Sequence, residues 1–197
     1  MTNKIDTRHD SLLRDQAGFT LVELMVALAI IAIMAAVGTS YTLAALPLYR
    51  LKGAARTLYS QMQQTRFNAV KENRVWRIDF PFPPGGAVTN DTYQIRSSGP
   101  DGILDNADDI VQTISLTAIG SGVTFGAGNA AQTWNNGAIT QRSNMTFQPS
   151  GFCDMGSIYL TNQDNSIAFA ITSLISGSIK MRKYNGMLPF NANNWMD

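Results

Sequence analysis

An apolar segment near the N-terminus constrains this chain more than any other feature of its sequence. Residues 24–37 are apolar without interruption, and residues 19–38 make a stretch of about 20 residues, the length that a helix needs to cross roughly 30 Å of hydrocarbon. The only charged residue between positions 16 and 49 is Glu23. The segment therefore predicts a membrane-spanning helix with one carboxylate close to its start.

Two ordinary interpretations of this segment are a cleaved secretory signal and a plain single-span anchor. Residues 35–38 (AAVG) could loosely serve as a small-residue cleavage site after the apolar run. Neither interpretation explains Glu23, because an unpaired charge inside an apolar helix costs about 2.5–3.5 kcal/mol on insertion scales. We therefore expect the Glu23 carboxylate to have a partner.

The residues around Glu23 carry a resemblance to a known family. Residues 18–24 (GFTLVEL) resemble the processing and methylation motif of type IV prepilins and type II secretion pseudopilins. The resemblance implies that residues 1–18 are a leader, that the prepilin peptidase cleaves between Gly18 and Phe19, and that Phe19 is then N-methylated. It also implies that Glu23 docks against the α-amino group of a neighbouring subunit, so that two groups that are costly alone become a pair.

The orientation in the membrane is not decided by the flanking basic residues. These residues are Lys4, Arg8 and Arg14 before the apolar segment and Arg50, Lys52 and Arg56 after it. Because the two sides are balanced, the positive-inside rule gives no preference. The resemblance implies a single-pass protein of the bacterial inner membrane, with a cytoplasmic N-terminus and a periplasmic C-terminal head.

The rest of the chain predicts an α+β fold, in which a long N-terminal helix packs on a C-terminal antiparallel sheet, as in the pilin fold. Apolar residues at three- and four-residue spacing follow the apolar segment, which predicts an amphipathic continuation with an interruption near positions 38–47. The predicted organisation is a leader (1–18), a transmembrane or filament-core helix (19–45), an amphipathic helix half (46–74) and a β-rich head (75–197). The predicted amphipathic stripe is Leu48, Leu51, Ala55, Leu58, Met62 and Ala69. Predicted strands lie at 75–80, 93–96, 110–116, 123–125, 145–147, 157–160, 167–172 and 178–183. The runs at 157–160 and 166–171 (SIAFAI) are typical of half-buried strands in an antiparallel sheet.

The sequence of the predicted head narrows the resemblance to one group within this family. Residues 147–151 (FQPSG), 156–160 (GSIYL), 167–172 and 177–180 are similar to the C-terminal half of the H-type (GspH) minor pseudopilins, a group that also contains FimT- and FimU-like minor pilins. This resemblance implies a structural subunit of a type II secretion pseudopilus or a type IV pilus. The implied partners are other pilins of the filament, the prepilin peptidase and methyltransferase, and inner-membrane lipid.

Catalytic side chains are scarce in this sequence. The one histidine, His9, lies in the predicted leader, and the one cysteine, Cys153, has no second cysteine for a disulfide or a Cys-based zinc site. His-dependent triads and His-ligated metals are therefore excluded for residues 19–197, and we expect no enzymatic activity. Free cysteines are usually buried, so Cys153 is expected to be a small core residue rather than a reactive thiol.

An acidic loop at residues 99–109 is the candidate cation site of the head. It offers the carboxylates of Asp101, Asp105, Asp108 and Asp109, and hard oxygen ligands on a turning backbone suit Ca²⁺. The spacing does not match an EF-hand. The loop is therefore interpreted either as a structural Ca²⁺ site or as a solvated turn.

A basic cluster near the C-terminus, formed by Lys180, Arg182 and Lys183, supports an alternative function, which is the binding of DNA. FimT-like minor pilins that bind DNA for uptake carry a basic strand at this place, although Ser178 stands where their first arginine would be. Contact with phosphates needs several cations on one face. DNA capture is thus the second hypothesis, and a solvated strand edge is its plain alternative.

Overall fold

Helix α1, at Leu21–Glu72, is the first element of the computed structural model, which describes residues 18–82, 91–186 and 192–196, apart from the side chains of Ser40, Tyr41 and Ala192. The basic residues of the predicted leader and His9 lie outside these ranges. The chain divides into two units, Met1–Leu43 and Ala44–Asp197. Each unit contains part of α1.

The first turn of α1 is capped by Thr20. Its hydroxyl accepts a hydrogen bond from the N–H of Glu23 at 3.2 Å, in the spacing of a capping box. The helix then continues through Pro47 without a break, so the local unwinding expected at positions 38–47 is not observed. Proline removes a single N–H donor, and the helical bonds on either side of it are maintained. The hydroxyls of Thr39 and Thr42 donate to the carbonyls four residues earlier.

In the described ranges after α1, nine short strands form two antiparallel sheets. The strands are β1 Trp76–Asp79, β2 Thr92–Ser97, β3 Ile110–Ser115, β4 Val123–Phe125, β5 Asn144–Phe147, β6 Gly156–Asn162, β7 Ala168–Ser173, β8 Ile179–Tyr184 and β9 Trp195–Met196. Sheet 1 has the order β3-β2-β1-β5 and sheet 2 the order β4-β6-β7-β8-β9. A short helix, α2 at Leu116–Ile119, and a 3₁₀ turn at Ala192–Asn194 complete the elements. The predicted α+β fold class is confirmed, and each of the eight predicted strands is present.

The second unit is organised around the C-terminal part of α1. Five residues of the predicted apolar stripe are buried there, since Leu51, Ala55, Leu58, Met62 and Ala69 are all 0 % exposed, whereas Leu48 is only half-buried. They share one core cluster with residues of both sheets, among them Ile78, Ile95, Ile158 and Ile171. The amphipathic pattern of the sequence therefore identifies the helix face that holds the two sheets together.

A second core cluster covers the opposite face of sheet 2. Tyr159, Ala168, Ala170, Tyr184 and Trp195 are buried there, with Trp134 packed against them. As a result, all six residues of β7 are buried, whereas the sequence predicted a half-buried strand. The alternating sequence pattern suggested that one face of this strand is solvated, but a loop and the C-terminal strand cover that face.

Arg66 connects α1 to two loops of the head. Its Nε donates to the carbonyl oxygen of Gly151 at 3.3 Å. Gly177, with φ +81°, approaches the same point so closely that a Cβ there would lie 2.3 Å from the Gly151 oxygen and 2.4 Å from Arg66 Nε. Only glycine combines this left-handed backbone with such a close approach.

Candidate docking surfaces and charged clusters

The N-terminal motif lies at the exposed start of α1. Phe19 is 84 % exposed, Gly18 is exposed, and Glu23 occupies the first turn, where the helix dipole favours a negative charge. Within the described residues Glu23 makes no ion pair. The structure thus places Gly18, Phe19 and Glu23 together on an accessible helix end, and their predicted roles in cleavage, methylation and docking stay predictions.

The apolar part of α1 presents large hydrophobic side chains in every direction. Each of these side chains is at least 53 % exposed, as is Phe19 just before the helix; they are Leu21, Val22, Leu24, Met25, Val26, Leu28, Ile30, Ile31, Ile33, Met34, Val37 and Leu43. A continuous apolar surface of this kind requires lipid or protein around it. By length and composition, α1 is the one helix in the described part of the chain that could cross a membrane.

The acidic loop is held by an arginine of the central strand β1. Arg77 Nη1 donates to Asp105 Oδ2 at 2.8 Å while its Nη2 bonds the other oxygen, and its Nε bonds Asp79 Oδ1 at 2.6 Å. The hydrogen bond to Arg77 lowers the pKa of the Asp105 carboxyl. The same carboxylate raises the pKa of Arg77, which stays charged. Asp105 is therefore already committed to an intramolecular ion pair.

A second arginine repeats this arrangement one strand further out. Arg96 stands opposite Arg77 in the register of β1 and β2. Its Nη1 donates to Asp109 Oδ2 at 3.2 Å and its Nε to Asp79 Oδ2 at 3.3 Å. The Asp109 side chain is only 1 % exposed, and the N–H of Asp105 also donates to it at 2.8 Å. Three carboxylates thus neutralise two arginines that would otherwise repel each other.

The remaining carboxylates of the loop do not complete a cation cage in this structure. Asp101 accepts hydrogen bonds from the N–H of Ile103 at 2.9 Å and from the Asn106 amide at 2.6 Å. Asp108 is exposed and lies against Gly99. No group of three or more His, Cys, Asp or Glu side chains in the described ranges is arranged to hold a metal ion. The Ca²⁺ hypothesis stays a prediction, and any ion would compete with Arg77 and Arg96.

The basic cluster is split between the two faces of sheet 2. Successive residues of a strand point to opposite faces, so Lys180 and Arg182 share one face and Lys183 the other. The Arg182 guanidinium lies 4.5 Å from the centroid of the Trp134 ring, a cation–π contact within the second core cluster. The three cations are therefore not gathered on one phosphate-binding face.

Cys153 is a buried residue, as the sequence predicted. It is 5 % exposed, and its Sγ donates to the carbonyl oxygen of Leu174 at 3.1 Å. Burial raises the pKa of the Cys153 thiol, so the nucleophilic thiolate is disfavoured at neutral pH. This residue contributes to packing beside the Arg66 contact rather than to chemistry.

Comparison with known proteins finds two family models along this chain. The prokaryotic N-terminal methylation motif matches residues 13–39, and the type II transport protein GspH matches residues 54–177. No curated protein matches the chain. Among solved structures, the minor pseudopilin EpsH from the type 2 secretion system of Vibrio cholerae is similar, with 12 % identity and a TM-score of 0.45 over 67 % of this chain and 95 % of that one.

Proposed function

Because this chain belongs to the GspH family of type II transport proteins, we propose that it works as a minor pseudopilin, a structural subunit of a type II secretion filament. The family match spans most of the amphipathic helix and the head, and it confirms the subfamily predicted from the sequence. Neither family match favours the FimT-like DNA-binding alternative. The function is docking, and the head offers surfaces to other subunits rather than to a substrate.

A single observation carries this proposal. The methylation-motif match over residues 13–39 includes the exposed apolar start of α1, and Glu23, in the first turn, is the only charged residue between positions 16 and 49. In this proposal the prepilin peptidase cleaves after Gly18 and so removes residues 1–18. Phe19 then becomes the methylated N-terminus. The apolar half of α1 first lies in inner-membrane lipid and then packs among other pseudopilins, with the head on the periplasmic side.

Glu23 has two physical roles to separate, because the same residue occupies a capping-box position. Glutamine at this position can still cap a helix but carries no charge. If Glu23 pairs with the α-amine of a neighbour, Glu23→Gln and Glu23→Leu both reduce assembly. If Glu23 acts only within its own helix, Glu23→Gln assembles like the wild type and Glu23→Leu does not.

The test combines processing, insertion and assembly in one strain that expresses the other pseudopilins. Immunoblots separate precursor from mature chain, membrane fractionation reports insertion, and pull-down of the other pseudopilins reports assembly. Gly18→Leu should leave the precursor uncleaved, because a peptidase that approaches this backbone closely has no room for a side chain. Gly18→Ala is its matched small-residue variant.

Both Glu23 variants should be cleaved and inserted, since removal of a charge favours entry into lipid. Their recovery with other pseudopilins should fall by about tenfold or more, the effect of losing one buried ion-pair partner. Full assembly of Glu23→Gln, whether or not Glu23→Leu also assembles, would refute the pairing role. A mature band unchanged in Gly18→Leu would refute the assignment of the chain as a prepilin.

A further inference from the structure

Strand β3 is the outermost strand of sheet 1 and, within the described residues, is hydrogen-bonded to β2 only. It is six residues long, and its sequence IVQTIS contains no charge and no proline. Ile110 is 64 % exposed and Val111 43 % exposed. Sheet edges are normally protected by charges, prolines or bulges, because an exposed, flat edge recruits another strand. β3 carries none of the charged or proline-based protection.

The pairing with β2 defines which backbone groups of β3 point outward. The N–H of Leu116 donates to the carbonyl oxygen of Asp91 at 2.7 Å, just beyond the last residue pair of the two strands. Because hydrogen-bonded and non-bonded pairs alternate in an antiparallel ladder, Ile110, Gln112 and Ile114 bond to β2. The N–H and C=O groups of Val111, Thr113 and Ser115 therefore face away from the sheet.

A cleft between α1 and the core-facing side of sheet 1 lies beside this edge. It has a volume of about 220 Å³ and is lined mainly by amide side chains: Gln61, Gln64, Asn68 and Gln112, with Thr65, Ile95 and Trp76. The indole Nε1 of Trp76 is buried and has no hydrogen-bond partner in the described part of the chain. The accessible amide side chains of the cleft therefore offer neutral donors and acceptors to a polar uncharged side chain.

The charges around the edge of β3 further restrict which chain segment could bind there. β3 and the cleft are neutral, whereas the acidic loop ends directly before β3 and exposes Asp101 and Asp108. Asp105 and Asp109 are already paired with Arg77 and Arg96. Asp108 makes no ion pair among the described residues and is thus available to a cation from outside.

We infer that the edge of β3 accepts an extended strand from a different subunit of the filament. The incoming strand is uncharged along β3, directs a polar side chain into the amide-lined cleft, and carries a basic residue where it passes Asp108. Its backbone bonds to Val111, Thr113 and Ser115, as in β-strand addition. The inference rests on the proposed function, since the partner is taken to be a neighbouring pseudopilin.

Thr113→Pro is the variant that tests this pairing directly. Proline removes the outward N–H and blocks the edge, but it leaves the bonds of Gln112 and Ile114 to β2 in place, because proline is tolerated on the free side of an edge strand. Thr113→Ala is the matched control, which keeps the N–H. Each full-length chain is co-expressed with the other pseudopilins of its secretion system, extracted in detergent and recovered with them.

The wild type and Thr113→Ala should co-purify with another pseudopilin, and Thr113→Pro should do so about tenfold less, with unchanged cleavage after Gly18 and an unchanged melting temperature. Asp108→Lys should also weaken co-purification, by about twofold to fivefold, the range of an exposed ion pair. Equal recovery of Thr113→Pro would overturn the inference and leave the proposed function intact. Equal recovery of Asp108→Lys would overturn the basic residue assigned to the partner. An uncleaved wild type that recovers no pseudopilin would overturn both the function and the inference.

Hydrogen exchange gives a second measurement that does not depend on the folding of a proline variant. In the full-length wild type in detergent, the amides of Val111, Thr113 and Ser115 should exchange quickly and become protected when another pseudopilin is bound. Protection in the chain alone would mean that its own residues or a second copy cover the edge, and it would overturn the inference. The absence of any gain on binding would overturn it as well.

Discussion

Gly177 and Gly102 both have a left-handed backbone, with φ of +81° and +74°, but only Gly177 is enclosed. An added Cβ at Gly102 would meet no atom within 4 Å, whereas one at Gly177 would lie 2.3 Å from the Gly151 oxygen and 2.4 Å from Arg66 Nε. The pair of variants Gly177→Ala and Gly102→Ala therefore separates backbone strain from the loss of the Arg66 contact.

The expected magnitudes follow from these two contributions. A left-handed alanine costs about 1–2 kcal/mol, which is the whole effect at Gly102. At Gly177 the new methyl group also displaces Arg66 from the Gly151 carbonyl, and a hydrogen bond to a charged group contributes about 1.5–3 kcal/mol. The free energy of unfolding should thus fall by about 1–2 kcal/mol for Gly102→Ala and by about 3–5 kcal/mol for Gly177→Ala.

The assay is thermal unfolding of the full-length chain in detergent, followed by the near-ultraviolet circular dichroism of its tryptophans, Trp76, Trp134 and Trp195, which all lie in the head. For a unit of this size, 1 kcal/mol corresponds to about 2–4 °C, so Gly177→Ala should lower the melting temperature by about 10 °C and Gly102→Ala by about 4 °C. Equal shifts for the two variants would refute the argument that Arg66 connects α1 to the head loops.

Four further predictions concern the packing of the core, the ion pair of Asp105, calcium binding and DNA binding. Leu58→Ala, in the core, should lower the free energy of unfolding of the head by about 2–5 kcal/mol, whereas Leu28→Ala, on the exposed half of α1, should leave the head's melting temperature unchanged. The pKa of Asp105 is lowered in the folded chain, so its stabilising contribution is present above the ordinary value of about 3.9 and is lost as the pH falls below it; melting curves against pH should show this loss in the wild type but not in Asp105→Asn. Millimolar Ca²⁺ should raise the melting temperature only weakly, and equal values in Ca²⁺ and in chelator would end the calcium hypothesis. Gel shifts should show at most weak DNA binding that falls steeply with salt, and tight binding lost when the basic cluster is replaced by alanines would revive DNA uptake.

The parts of the fold that the sequence predicts are those with a local period. The stripe from Leu51 to Ala69 repeats at helical spacing and is buried in the structure, and the strands were recognisable as short β-type runs between glycine, asparagine and proline. The burial of Cys153 followed from residue type alone. The division of the basic cluster between two faces could also have been read from the sequence, because Lys180 and Lys183 are three positions apart in a strand.

The parts that sequence reasoning missed depend on contacts between distant residues. Nothing in the sequence around Arg77 indicates that it stands opposite Arg96 and holds the acidic loop, because only the register of β1 and β2 creates this arrangement. Trp134 lies in a glycine- and asparagine-rich loop without any period, and its packing against Trp195, with ring centroids 5.8 Å apart, gives sheet 2 a second covered face. No local pattern marks either feature.

The core of the head joins α1 to strands that are distant from it in the sequence, and this sets the order of events during biosynthesis. The core cluster that contains Leu51 also contains Ile179 of β8, so it stays incomplete during the interval between the synthesis of these two residues. At about 5–20 residues per second, this interval is on the order of ten seconds, and pairings between such distant residues then add milliseconds to seconds of folding time. The apolar segment, which leaves the ribosome first, therefore has time to reach a lipid bilayer while the head is still unfolded. Anchoring before folding is thus a kinetic consequence of how far β8 lies from α1 in the sequence.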